Sequence, residues 1–276
     1  MNTFEELQDM AKRISESREL PRISRFFLPK YFENGQPKNA EFMAIGLENG
    51  STGISFVSIT PEQSGYYESL GEKDYVGRDP ADVACERGGC DIDAMISLAA
   101  INAVCQYTMG DSGFSYDFTT DTLGLLDISA DDHVGMVGFF PPLVRVAADA
   151  GGSLTIIEKK EIPFKGHPNA RITMDPSELE KCNKVLCTST VVLNESIDEI
   201  LSYCRNAIKL SIVGPSAGYF PDPLFDRGVD VVGATTVTDQ KGFFDAISKG
   251  QRWGKTTKKY AITKEGYAGI GQILHP

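Results

Sequence analysis

Two glycine-bearing turns and a few polar side chains hold most of this sequence's capacity for chemistry. One turn is Gly138-Phe139-Phe140-Pro141-Pro142, which follows the apolar run 134–137 and opens a helix at its prolines. The other is Gly214-Pro215-Ser216-Ala217-Gly218, after the apolar run 210–213. Backbone N–H groups bared at such turns can hold anionic oxygens. Glu158 ends the next apolar run after Gly138, at the spacing where dinucleotide-binding folds place a ribose-binding acid. Thr188 and Asp239 also follow apolar runs, so polar groups collect at one end of a series of strands. Asn102 interrupts the apolar stripe of a helix, where a buried amide must find partners. Glu48 and Asn49 stand at a hairpin tip, where the plain reading is a turn. Glu48, Glu158 and Asp239 are the carboxylates expected to serve a hard cation.

Three sharper motifs fail on inspection. The Gly135-Met136-Val137-Gly138 start of a dinucleotide fingerprint runs into Phe-Phe-Pro-Pro, which would obstruct a pyrophosphate. The 214–218 turn matches the G-x-S-x-G nucleophile elbow, with Asp239 and His275 in hydrolase order, but Tyr219-Phe220-Pro221 delays the helix that an elbow needs. Gly254-Lys255-Thr256 resembles the end of a P-loop without its first glycine. His133 and His167 have no flanking His or Cys, so each reads as structural. The six cysteines form no C-x-x-C pair and read as reduced thiols.

With 276 residues, 41% apolar and 24% charged, the chain reads as globular, with one large domain or two ordinary ones. A net charge of -11 argues against a nucleic-acid or anionic-membrane partner. The basic cluster 249–259 reads as a solvated tail. The acidic, amphipathic N-terminus is not a signal peptide, and no apolar run approaches a membrane span, so a cytoplasmic protein is expected.

The elements that must position these residues fall into two kinds. An amphipathic helix over 3–18 precedes strand candidates at 22–28, 42–47 and 53–57, with Asn34-Gly35 and Asn49-Gly50 as hairpin signals. Residues 61–90 read as a long loop with one short helix at 80–86, and Asp91 caps a helix running to Met109. Residues 111–130 read as a crossing. Near-continuous apolar runs then follow at 134–137, 154–157, 184–188, 210–213 and 229–233, with helices at 142–150, 195–206 and 242–248. Such an alternation predicts a parallel sheet covered on both faces.

The runs VGMVGFFPPLV, LTIIEKK, LCTSTVVLNESIDEIL and IVGPSAGYFPDPLFDRGVDVVGATTVTD, with AAINAV ahead of them, resemble the "putative heavy-metal chelation" family, a family of unknown function. The resemblance implies an α/β protein of two domains. Residues 1–115 would form an α+β domain like the N-terminal domain of enolase. Residues 116–276, starting in a crossing at 116–130, would form a Rossmann-like domain. It implies a cleft between them built from Glu48, Asn49, Asn102, Gly138, Glu158, Thr188, Gly214, Pro215, Ser216 and Asp239. The expected occupant is a small anionic or metal-bearing ligand, with a metal ion as the candidate cofactor. Two alternatives stay open: an enzyme using NAD or S-adenosylmethionine, and an accessory protein burying Phe139-Phe140 or Tyr66-Tyr67 against a partner. A homo-oligomer is a further open alternative.

Overall fold

The computed structural model describes residues 1–33, 35–38, 40–86, 91–120, 124–160 and 168–274. The readings of Asn34, Cys90, His167 and His275 lie outside them.

The first helix, α1 (Thr3–Ser17), starts at a capping box in which Glu5 N–H donates to Asn2 and Asn2 N–H donates to Glu5. Its stripe of Phe4, Leu7, Met10, Ala11 and Ile14 is buried. An antiparallel meander follows: β1 (Ile23–Phe27), β2 (Phe42–Leu47) and β3 (Thr52–Phe56). Residues 61–85, expected as loop with one helix, instead fold as a 3-10 turn and three short helices: α2 (Ser64–Ser69), α3 (Glu72–Tyr75) and α4 (Pro80–Cys85). The anchors are Tyr67 and Tyr75, both buried; Tyr67 donates its hydroxyl to Pro29 O. The expected Tyr66-Tyr67 surface patch therefore does not exist as a pair.

Helix α5 (Asp91–Asp111) passes straight through Gly110. It is apolar nearly all round, which a helix tolerates only when enclosed. Its mean hydropathy of 1.2 and its length would suffice to cross a membrane, contrary to the sequence reading, but 83% of that window is buried inside the fold. One face of the meander packs on α5.

The second sheet has seven strands: β4 (His133–Val137), β5 (Ser153–Ile157), β6 (Ala170–Thr173), β7 (Lys184–Thr188), β8 (Lys209–Val213), β9 (Val231–Val237) and β10 (Thr257–Thr263). Its order is β10-β9-β8-β7-β4-β5-β6, parallel except for β10. The chain runs outward from β4 to β6, returns to β7 on the other side of β4, and continues to β9. The reversal lies between β4 and β7. Alternate residues enter opposite cores. Val134, Met136, Leu154, Ile156 and Leu186 pack with α6 (Pro141–Ala150). Val137, Ile157, Val185, Cys187 and Ile212 face the other way, into the core that contains α1 and α5. Both faces of the sheet are thus covered.

Strands β6 and β10 were not foreseen. β10 corrects the reading of residues 249–259 as a solvated tail, because that cluster runs into an edge strand paired with β9 from Thr257 onward. The helix expected over 195–206 is present but shorter, and a separate short helix that was not foreseen precedes it. Here α7 (Thr190–Leu193) ends, Glu195 takes φ 53°, and α8 (Ile197–Tyr203) begins. Short α9 (Asp222–Asp226) and α11 (Ile270–Leu274) flank β9 and β10, and α10 (Gln240–Ser248) packs Phe243, Phe244 and Ile247 on Ala44 and Ile54 of the meander.

Arg227 ties α1 to the large sheet's helices. It donates to Glu6 at 2.7 and 3.0 Å and to Asp198 at 2.7 Å, while Thr3 donates to Asp198 through both N–H and hydroxyl. The hydrogen bonds from Arg227 hold the Glu6 carboxyl below its ordinary range. Burial pushes Asp198 up, but Thr3 and Arg227 together outweigh it and hold it low as well. A depressed folded-state pKa contributes stability that is present above the unfolded value, about pH 4, and lost as pH falls through the folded one. Arg227→Met should therefore flatten the acid limb of stability. Urea midpoints between pH 6 and pH 3 would fall less in the variant than in the wild type, and parallel curves would refute the coupling.

Candidate functional site

A cavity of about 310 Å3 opens at the carboxyl ends of β4, β5 and β7, where the strand order reverses. Open α/β sheets bind ligands in such crevices. Gly138, Glu158 and Thr188 line it from three successive strand ends. Gly138 has φ 81°, and an added Cβ would stand 2.9 Å from Thr188 Cγ2. Glycine thus serves both the turn's sign of φ and the close approach to β7. The floor is apolar, from Val137, Ile157, Val191 and Ile200. Around the mouth stand Lys159, Lys160, Thr190, Asn194, Ser196 and Glu199. The sequence reading missed these six, although the two lysines directly follow Glu158.

The expected backbone cradle is corrected. Gly138 N–H donates to Ile157 O at 3.0 Å, and Gly214 N–H donates to Gly233 O at 3.0 Å. Both are spent on their neighbouring strands, so lysine and hydroxyl side chains must supply the donors for an anion. Among the described residues every one lining the cavity lies between 137 and 200, and none comes from the first 115.

The remaining expected site residues are dispersed. Gly214 and Pro215 line a second cavity of about 440 Å3, beside Phe140 and Pro142. Asn102 is fully buried and donates to Ile54 O at 2.8 Å and Ser216 O at 2.9 Å, so it clamps the meander to the 214–218 turn. Ser216 is equally buried, its hydroxyl accepting Phe56 N–H at 2.9 Å, which leaves no exposed nucleophile at that turn. Glu48 is exposed and accepts Arg22 N–H, and Asn49 bonds Ser51 across its own hairpin tip. Asp239 caps α10 by accepting Gly242 N–H at 3.0 Å. Gln240 holds Leu47 O, which brings Asp239's helix to the Glu48 hairpin and not to Glu158.

A sequence model of the family DUF364, described as "putative heavy-metal chelation", matches residues 121–264, more than half of the chain. The chain belongs to this family. Its 3-2-1-4-5-6 run of parallel strands, β6-β5-β4-β7-β8-β9, lies within the matched span. An uncharacterised protein of Methanocaldococcus jannaschii is 24% identical over 186 residues, 63% of this chain and 67% of the relative. Two crystal structures of proteins with unknown function from the DUF364 family share the fold. That from Pyrococcus horikoshii superposes with a TM-score of 0.69 at 19% identity, covering 93% of this chain and 99% of its own. That from Desulfitobacterium hafniense gives 0.66 at 17% identity, covering 94% and 99%.

Among the described residues no side-chain set fits a heavy-metal chelate. Among the described residues no three His, Cys, Asp or Glu side chains stand together as a metal set, which overturns Glu48, Glu158 and Asp239 as joint ligands. Soft metals require thiolates or imidazoles. Burial pushes the Cys182 thiol up to about 11 and those of Cys105 and Cys204 up to about 12. Cys187 rises well above its ordinary value for the same reason. These four are protonated core side chains at neutral pH.

Proposed function

We propose that this chain binds a small polyanionic metabolite in the cavity between Gly138, Glu158 and Thr188, and that any metal arrives already held by that ligand. The protein is then a cytoplasmic carrier or sensor of such a ligand. It has an enolase-N-terminal-like unit over 1–115 bracing a Rossmann-like unit over 116–276. The observation carrying this reading is the convergence of Lys159 and Lys160 with Thr188, Thr190 and Ser196 on a cavity whose floor is apolar, with Glu158 left to face a hydroxyl or a metal that the ligand holds. Lysines at the mouth neutralise carboxylates or phosphates, while threonine and serine hydroxyls fix their direction.

A nucleoside-like cofactor is the second reading, favoured by Glu158 at the end of β5, where a ribose hydroxyl would donate to it. A volume of about 310 Å3 lies at the lower end of ligand pockets and suits a mononucleoside better than a dinucleotide. S-adenosylmethionine is therefore preferred to NAD within that reading.

Titration calorimetry and thermal shift with citrate, citrate plus Zn2+, S-adenosylmethionine and NAD separate the two. Under the first reading citrate raises Tm, by up to about 2.7 kcal/mol of stabilisation at a hundredfold excess over Kd. Lys159→Ala with Lys160→Ala weakens it at least tenfold. Under the second, S-adenosylmethionine binds and Glu158→Ala removes it. If none of the four binds, both readings fall.

A further inference from the structure

The cations around Trp253 have no place in the cavity just described. We infer that a second groove, between the meander and the outer strands of the large sheet, is a binding site for a small phosphate-bearing molecule. The groove holds about 520 Å3 and is lined by Lys38 from the β1–β2 connection, by Arg252 and Trp253 after α10, and by Thr235, Thr257 and Lys259 from β9 and β10. It joins the cavity at Gly214, with which it shares Pro215, Thr235 and Lys259.

The charge pattern carries the inference. The chain has 38 acidic residues against 27 Lys and Arg, yet among the described residues no Asp or Glu lines either the groove or the adjoining cavity. Among the described residues Arg252 and Lys259 are in no ion pair, so neither has a carboxylate of the chain to neutralise it. Lys38 also acts on the nearby Glu41 carboxylate, so the repulsion is chiefly between Arg252 and Lys259, and a multiply charged anion relieves it. The hydroxyls of Thr235 and Thr257 add neutral donors, which orient phosphate oxygens.

Trp253 indicates what the anion is attached to. Its ring is held edge-on by Phe42 at 5.9 Å and Phe243 at 5.5 Å, so the indole is fixed before any ligand arrives. A fixed aromatic wall beside three cations suits a phosphate ester with a planar or apolar body, which packs on the ring while its phosphates meet the cations. The groove's volume limits the occupant to a small molecule.

Trp253 is the chain's only tryptophan, so its emission reports on this groove and not on the cavity at Gly138. The probes are inorganic pyrophosphate and ATP, titrated while emission is followed. A saturable change is expected, weakening as ionic strength rises from 0.05 to 0.3 M by screening of the cations. Arg252→Ala combined with Lys259→Ala should raise Kd at least tenfold. Both side chains are exposed, so Tm in the absence of probe should stay near the wild-type value. Arg252→Lys, which keeps the charge, should retain most of the affinity. Lys159→Ala with Lys160→Ala should leave this titration unchanged, so the groove and the Gly138 cavity stand or fall separately. Neither probe binding, wild-type affinity in the double alanine variant, or binding of polymeric RNA alone would overturn the proposal.

Discussion

Gly53→Ala is expected to cost about 3 kcal/mol or more, at or beyond the upper end of ordinary overpacking. The added Cβ would stand 1.9 Å from Ala99 O and 2.3 Å from Ala103 N. Both atoms belong to the backbone of α5, so no side-chain rotation relieves the clash. Strand β3 must lift from α5, and Ile54 O then leaves the reach of Asn102 Nδ2. Because Asn102 also holds Ser216 O, the contact between the meander and the large sheet loosens with it. Gly50→Ala in the same hairpin is the control. Gly50 has open space around it but φ 98°, so alanine there pays only backbone strain of about 1–2 kcal/mol. Urea unfolding of the two variants measures the difference. A Gly53 variant no less stable than the Gly50 variant would contradict the close packing of β3 on α5.

Asp132→Ala should be similarly damaging, at about 3–5 kcal/mol, the usual cost of stranding one member of a buried ion pair. Asp132 lies 2.9 Å from Lys184 Nζ, and the two side chains are only 7% and 11% exposed. The carboxylate also accepts Ser129 N–H at 2.7 Å, Ser129 hydroxyl at 2.9 Å and Asn183 Nδ2 at 2.8 Å. Burial alone would raise its pKa, but Lys184, Ser129 and Asn183 together hold it far below the carboxylate range. Its contribution is therefore complete above about pH 4 and disappears only in stronger acid. Alanine leaves the Lys184 ammonium enclosed beside Asp127 O, with its countercharge gone. Asp132→Ala combined with Lys184→Met should recover much of the loss, since removing both charges removes the stranded one. Chemical denaturation of the two single variants and the pair closes that cycle. A double variant less stable than Asp132→Ala would show that the pair is not the source of the effect.

Much of the fold was legible because its signals are local. Apolar runs at 134–137, 154–157, 184–188 and 210–213 are strands, and Pro141 opens α6 while Gly151, at φ 78°, closes it. Edge strands carry weaker signals. β6 is four residues long and not fully buried at any position, and β10 opens with the exposed pair Lys258 and Lys259 before the buried run Tyr260, Ala261 and Ile262, so its basic start resembled a tail. The helix α5 was legible as a helix, but its enclosure on most sides was not, because periodicity fades when nearly every face is apolar.

The site was legible in part, for a reason that lies in the backbone. Residue types at strand ends can be read from the sequence, and Gly138, Glu158 and Thr188 do line one cavity. What their N–H groups do cannot be read in this way, because a partner such as Ile157 O or Gly233 O is fixed only when strands align. Asn102 and Ser216 illustrate the same limit. Each is polar and suitably spaced for a ligand, yet each is consumed by a contact 114 or 160 residues away in the chain.

The sequence by itself determined the succession of elements, the turns that need glycine or proline, and the acidic character of the whole chain. Short-range sterics and hydrophobic period decide those. Only the tertiary structure decided that Glu48 and Asp239 stand at the α10 end of the meander while Glu158 lies at a cavity without them. Only the tertiary structure, likewise, gathered Lys38, Arg252 and Lys259 around one tryptophan. Chemistry at a site depends on distances of a few ångströms between residues remote in sequence, and packing of the sheets and α5 sets those distances.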